Sequence, residues 1–324
     1  MKKKNIFSLC IFLLFLTGCG AFSGSSNTIQ APEVHKGSEG LSIQFMQNAP
    51  PQSVYEETNF PLLLTLQNKG ATDITEGWFT IGVEQSNMEL RGEAVQSFSL
   101  LGRTASDNYG EQKIVELRGH TKKLPINTQR LESVLSVTAC YAYSTDASAD
   151  VCIDTDLYGL AKYEKACQMR NIAMSGGQGA PVGVSKVDIE IVPGEEQNTV
   201  IPQFTIYLEN MGTGQTLVPE AVATACSSRS IKSEQYNIMK VEASLFEYEL
   251  DCNPKLKEVL NDPTLQQGNE KAGYKKLMQK KGSVTCTLQE GISKARGTYT
   301  SPLMVHLEYG YADTISKRIE IKKK

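Results

Sequence analysis

The sequence is poor in the side chains on which most chemistry depends. It has three histidines, His35, His120 and His306, and one tryptophan, Trp78, in 324 residues. The histidines lie far apart in the chain, and no acid-rich loop with metal-ligand spacing accompanies them. No two cysteines stand two or so residues apart, so the spacing of a zinc site is missing. Gly176, Gly177 and Gly179 fit neither nucleotide-binding fingerprint, and no Asn-x-Ser/Thr sequon is present. Serine, histidine and acid can be drawn from any chain of this length, so their presence alone does not define a triad. The sequence therefore implies no cofactor, no bound metal and no catalytic residue, and a non-enzymatic role is expected. Neither sign of charge dominates: 33 basic residues stand against 36 acidic ones. That balance provides no footprint for nucleic acid.

What is present begins at the N-terminus. Lys2, Lys3 and Lys4 precede an apolar run from Ile6 to Leu16, then Leu16-Thr17-Gly18-Cys19. A basic start, a short apolar centre and small residues before a cut site describe an export signal. The run reaches about 16 Å as a helix, roughly half of a hydrocarbon core, and no other run is longer. The Leu-Thr-Gly-Cys end resembles the lipobox of bacterial and archaeal lipoproteins. That resemblance implies removal of residues 1–18 and lipid on Cys19, hence an extracytoplasmic protein anchored to the cell membrane. Loss of the three lysines leaves 30 basic residues against 36 acidic, a net charge of -6. Residues 19–40, rich in Ser, Gly and polar groups, read as a flexible tether.

An internal repeat is the most informative feature. Pro61-Leu-Leu-Leu-Thr-Leu-Gln-Asn-Lys-Gly70 aligns without gaps on Gln203-Phe-Thr-Ile-Tyr-Leu-Glu-Asn-Met-Gly212. Leu62, Leu64 and Leu66 match Phe204, Ile206 and Leu208, the period of a strand with one buried face, and Asn-x-Gly ends each run as a turn. The preceding runs Leu41, Ile43, Phe45 and Val187, Ile189, Ile191 correspond in the same way. A second match pairs Val137, Tyr141, Tyr143 and Ile153 with Val305, Tyr309, Tyr311 and Ile321. Each of these sets reads as a long antiparallel hairpin closing its copy, the first turning at Asp146.

Many short strands without crossover helices predict an all-β chain of two tandem antiparallel β-sandwiches, at 41–155 and 183–324, joined by a linker at 156–182. Ser175-Gly-Gly-Gln-Gly-Ala-Pro181 is the expected hinge. The stretch Phe60–Val83, with its Leu-Gln-Asn-Lys-Gly turn and the strand Trp78–Val83, resembles the cell-adhesion-related (CARDB-type) immunoglobulin-like domains of bacteria and archaea. The wider pattern, including Gln178-Gly-Ala-Pro-Val182 and the run Thr298–Lys322, is similar to archaeal surface lipoproteins. The family implies a location and a fold rather than a reaction. The partners expected are the membrane, through Cys19, and another envelope or cell-surface protein.

Six cysteines remain in the mature chain, an even number suited to disulfides. With a turn at Asp146, Cys140 and Cys152 face each other across two strands and should pair. Cys252 and Cys286 bracket an insertion peculiar to the second copy and form the next expected pair. Elimination leaves Cys167 with Cys226. The insertion, about 253–282, is expected to be helical from the spacing of Leu256, Val259 and Leu260 and of Tyr274, Leu277 and Met278. Its lysines Lys275, Lys276, Lys280 and Lys281 are the candidate partner-binding residues, and a solute- or polymer-binding role for this segment is the alternative function. Asp146, Asp150, Asp154 and Asp156 read as a charged turn rather than a calcium site.

Overall fold

The computed structural model describes residues 34–160, 162, 164–227, 231–261 and 268–324. The expected leader, Cys19 and most of the tether lie outside these residues. The first copy contributes β1 (Leu41–Phe45), β2 (Ser53–Tyr55), β3 (Asn59–Asn68), β4 (Ile74–Val83), β5 (Met88–Arg91), β6 (Val95–Leu100), β7 (Gln112–Thr121) and β8 (Arg130–Asp154). The connecting segment adds β9 (Ile172–Ala173). The second copy contributes β10 (Val182–Pro193), β11 (Thr199–Asn210), β12 (Gln215–Leu217), β13 (Ile238–Leu245), β14 (Tyr248–Glu249), β15 (Asp251–Asn253), β16 (Gly273–Lys276), β17 (Lys281–Thr287), β18 (Ile292–Ser293) and β19 (Thr298–Lys322). Two one-turn helices, α1 (Val222–Ala225) and α2 (Leu256–Val259), interrupt it. The chain is all-β, as the alternating runs predict.

β3 and β11 form strands because every second side chain has an apolar place to go. Phe60, Leu62, Leu64 and Leu66 on one, and Val200, Phe204, Ile206 and Leu208 on the other, are almost wholly buried. Each such side chain contributes about 1.5–3 kcal/mol through burial. β3 sits in the sheet β1-β3-β7-β5, and β11 in β15-β17-β11-β10-β9. Both sheets share one apolar cluster with a third, β14-β13-β19-β8-β4-β6, which runs through both copies. The described residues belong to one compact unit.

The third sheet overturns the expected hairpins. β8 and β19 are each single 25-residue strands, and they pair with each other, from Asp154↔Thr298 to Arg130↔Lys322. Asp146 is not a turn; it lies in mid-strand opposite His306. The run Ser144-Thr-Asp-Ala-Ser-Ala-Asp150 has a turn-like composition but alternates polar outward and small inward, which suits a strand with one wet face. Tyr141 pairs with Tyr311 and Tyr143 with Tyr309, so exchange of the copies leaves the Ala142↔Gly310 pair in place. A local two-fold passes there. The four rings stack in its neighbourhood with centroids 5.5–6.4 Å apart.

The two-fold extends to the hydrogen bonds. Tyr143 Oη donates to Asn68 Oδ1 at 3.2 Å, and Tyr311 Oη to Asn210 Oδ1 at 3.1 Å. Asn68 Nδ2 donates to the Thr72 carbonyl, and Asn210 Nδ2 to that of Gly214. The same asparagine oxygens accept from Gly70 N and Gly212 N. Asn-x-Gly is therefore more than a turn: it is a buried clamp on a tyrosine of the long strand. Glycine is needed for close approach, since a Cβ at Gly70 would lie 1.9 Å from Tyr143 Oη and one at Gly212 2.2 Å from Tyr311 Oη. Gly70→Ala and Gly212→Ala are each expected to cost about 1–3 kcal/mol by overpacking. Urea titration checks this, and a shift at only one of the two positions would contradict the equivalence.

The match of the preceding strands needs correcting by register. Leu41 lies opposite Asn68 in β3, and Val182 opposite Asn210 in β11, so Leu41 corresponds to Val182 rather than Val187. A β-bulge between Val184 and Lys186 adds a residue and brings Phe45 into line with Val187. The expected hinge is also tied down. Gly179 N donates to the Gly37 carbonyl, the Gly179 carbonyl accepts from Ala71 N, and buried Gln178 exchanges hydrogen bonds with Val184.

Among the described residues three disulfides are present: Cys140–Cys226, Cys152–Cys167 and Cys252–Cys286. The expected pairs Cys140–Cys152 and Cys167–Cys226 are therefore wrong. With no turn at Asp146, twelve residues of straight strand hold Cys140 and Cys152 about 40 Å apart, far beyond the reach of a disulfide. Cys252 and Cys286 lie directly opposite in β15 and β17. Such bonds persist in oxidising surroundings and mark an extracytoplasmic protein.

The insertion is not the expected helix. Among its described residues only α2 is helical; Tyr274 lies in β16, which pairs with β13, and Leu277 and Met278 lead into a turn at Gln279 and Lys280. Four pairing positions on the free edge of β13 outweigh a short apolar spacing that suits either state. Residues 262–267 lie outside the described ones.

Candidate functional site

The candidate partner-binding lysines lie in β16 and around the turn that follows it. Lys275 and Lys276 lie in β16 opposite Met239 and Ile238. Lys280 Nζ donates to the Gly212 carbonyl at 2.7 Å, and Lys281 pairs with Glu209 at 3.1 Å, so both serve the second Asn-x-Gly turn. Asp146, Asp150 and Asp154 are spread along β8, and Asp156 lies just beyond its end. Asp154 and Asp156 share Lys165, at 2.6 and 3.6 Å, and Asp146 meets His306. Among the described residues no group of histidine, cysteine and carboxylate side chains could hold a metal ion, and no helix is long and apolar enough to cross a membrane.

A denser polar arrangement lies on the outer face of the shared sheet, where β13, β19 and β8 run side by side. Register places Glu242, His306 and Asp146 in one row, Lys240, Glu308 and Ser144 in the next, and Ser244, Met304 and Ser148 in a third. His306 Nδ1 is 2.6 Å from Asp146 Oδ1, and Nε2 is 3.4 Å from Glu308 Oε1. Lys240 bridges Glu242 at 2.8 Å and Glu308 at 2.9 Å, while Asn269 donates to Glu242 at 2.8 Å. Burial alone would lower the Lys240 pKa, but its two carboxylates raise it above the ordinary value. Burial opposes the charge of Glu242, and Lys240 and Asn269 hold its pKa below the ordinary range. Both His306 nitrogens face carboxylates, an arrangement that fixes the ring rather than poising it against a nucleophile. His120 Nδ1 instead contacts Asn59 at 2.9 Å, and His35 lines a neighbouring depression along Asp146–Asp150.

Beside this network stands a feature without a sequence signal. Leu245 pairs with Tyr248, so β13 and β14 are joined by the two-residue turn Phe246-Glu247. Phe246 has φ +55°, while Glu247 is not left-handed. A turn of this type favours glycine at its first central position. A left-handed conformation costs a residue with a Cβ about 1–2 kcal/mol. Yet Phe246 is 60% exposed and recovers little of this through packing. A depression of about 330 Å³, lined by Asp146, Glu242, Glu247, Glu249, Lys271 and His306 among others, opens on one side of it. A second, of about 470 Å³, lies on the other, with Tyr248, Arg296 and Tyr299 in its lining.

No protein-family profile matches the chain, and no curated protein matches it. The likeness to CARDB-type domains and surface lipoproteins thus rests on the residues quoted above. Among solved structures, the serine-rich repeat adhesion glycoprotein Srr1 of Streptococcus agalactiae aligns at 8% identity over 88% of this chain and 96% of that one, with a TM-score of 0.16. The CupB6 tip adhesin of Pseudomonas aeruginosa aligns at 10% identity over 90% of this chain and 98% of its own, also with a TM-score of 0.16. At that score the likeness carries neither fold nor function.

Proposed function

We propose that the chain is a lipid-anchored envelope protein, held through Cys19, whose two immunoglobulin-like sandwiches act as a non-enzymatic docking module for another surface protein. The observation that carries this reading is the β8–β19 pair. Two double-length strands bind the copies into one sheet, and the Cys140–Cys226 bond adds a covalent link from β8 to the α1 segment. Rigid scaffolds of this kind hold exposed loops and strand faces in fixed positions for recognition. The test is in-cell crosslinking of the full-length protein, followed by mass spectrometry of what co-purifies from membranes. One dominant protein partner is expected; recovery of the monomer alone would count heavily against docking. A second reading, solute or polymer binding, draws on the depression beside His306, to which Asn269 and Lys271 of the insertion contribute. A thermal shift with carbohydrate or anionic polymer, abolished by substitutions in that segment, would favour it.

A further inference from the structure

We propose that Phe246 is the anchor of the docking surface, and that it receives a segment of a partner protein presenting lysine or arginine beside an apolar side chain. The proposal rests on the docking reading and specifies its surface and chemistry. Three observations converge on this hairpin tip. Phe246 occupies a left-handed position suited to glycine, and its ring faces solvent rather than the core. Tyr248 and Met304, 42% and 45% exposed, belong with Phe246 to the linings of the flanking depressions and extend its apolar surface. Aromatic and methionine side chains of this kind are enriched at protein interfaces, where a few residues carry most of the affinity.

Charge selects the occupant. Four carboxylates, Asp146, Glu242, Glu247 and Glu249, line the nearer depression against Lys271 and the ring of His306. Some already have partners: His306 for Asp146, Lys240 and Asn269 for Glu242, and Lys271 for Glu249 at 4.0 Å. The surplus remains negative and favours a cationic side chain, with the partner's apolar residue against Phe246 and Tyr248. On the far side Arg296 lies over the Tyr299 ring at 5.8 Å, outside the lining of the acidic depression.

The test uses the full-length protein in its membrane, with a photoreactive benzophenone side chain placed at position 246 or, for comparison, at position 126, where the native Ile126 is 88% exposed. Adducts from position 246 should join a protein segment with lysine or arginine close to the crosslinked residue, and Glu247→Lys with Glu249→Lys should reduce their yield at least about fivefold. Phe246→Gly should leave the melting temperature unchanged or raise it, yet weaken partner retention at least about tenfold. Purified full-length protein should bind an alternating leucine–arginine hexapeptide, increasingly weakly with added salt, and not its leucine–glutamate counterpart. Adducts to lipid, glycan, a second copy of this chain or an acidic segment would overturn the proposal, as would a lower melting temperature or intact retention in Phe246→Gly. Protein adducts from position 126 with none from 246 would leave docking standing and this surface wrong. No protein adduct from either position would remove the docking reading itself.

Discussion

Stability should collapse above about pH 10, and four tyrosines should be responsible. Tyr141, Tyr143, Tyr309 and Tyr311 are all at least 96% buried around the local two-fold, and desolvation raises the pKa of each phenol well above its ordinary value. Their hydroxyls hold the fold in the neutral form: Tyr141 Oη accepts from Leu41 N, and Tyr309 Oη shares a hydrogen bond with Thr145 Oγ1. In the unfolded chain each phenol loses its proton near pH 10, whereas the folded chain keeps all four. Their contribution is therefore fully present below about pH 10 and is lost as pH rises from there toward the folded values. Each buried tyrosine removes about 1.4 kcal/mol per pH unit in that window, so four remove about 5 kcal/mol per unit. A domain of ordinary stability would unfold within a few pH units. Urea titrations at stepped pH, read beside phenolate absorbance, check the result. Four of the 13 tyrosines should ionise only with the loss of folded signal, and Tyr141→Phe should reduce the slope by about a quarter. Ionisation of all tyrosines with the fold intact would refute the account.

The same strands show what the sequence could and could not reveal. Leu62, Leu64 and Leu66 with Asn68, and their counterparts with Asn210, were legible because burial on one face of a strand leaves a period of two within ten residues. The matching tyrosines were legible too, but not their partners. Whether Ser144–Asp150 turns or continues depends on β19, some 160 positions away, which gives every residue of β8 a ladder partner. Local composition favoured a turn, and the disulfide assignment inherited that error. The corrected bulge at Val184/Lys186 is similar: a one-residue insertion shifts the match without altering the alternation on either side. Phe246 was missed for the opposite reason. Leu-Phe-Glu-Tyr contains none of the Gly, Asn or Asp residues by which a two-residue hairpin is usually recognised, so the most exposed part of the candidate site resembled uninterrupted strand. The polar row Glu242–His306–Asp146 draws on three strands and had no linear signature at all.

Non-reducing peptide mapping should find Cys140 linked to Cys226, and removing that bond should destabilise the chain more than removing either of the others. The bond closes a separation of 86 residues, against 34 for Cys252–Cys286 and 15 for Cys152–Cys167. Chain-entropy arithmetic gives about 4.6, 3.8 and 3.0 kcal/mol in that order. Packing should widen the gap for the first. Cys140 and Cys226 form a small cluster with Val222, flanked by Trp78, Ala142 and Ala312, where α1 rests on the outer face of the sheet. The sheet is shaped for it by small residues, since a Cβ on Gly310 would lie 2.5 Å from Val222 Cγ2. The paired substitution Cys140→Ala with Cys226→Ala should therefore lower unfolding free energy by about 4–5 kcal/mol, measured by urea titration beside the equivalent variants of the other two bonds. A Cys140–Cys152 peptide would restore the turn at Asp146 and dissolve the shared sheet. With Cys140–Cys226 found but a loss no larger than for Cys152–Cys167, the sheet would stand, and the β8–β19 ladder rather than the covalent link would be what holds the copies together.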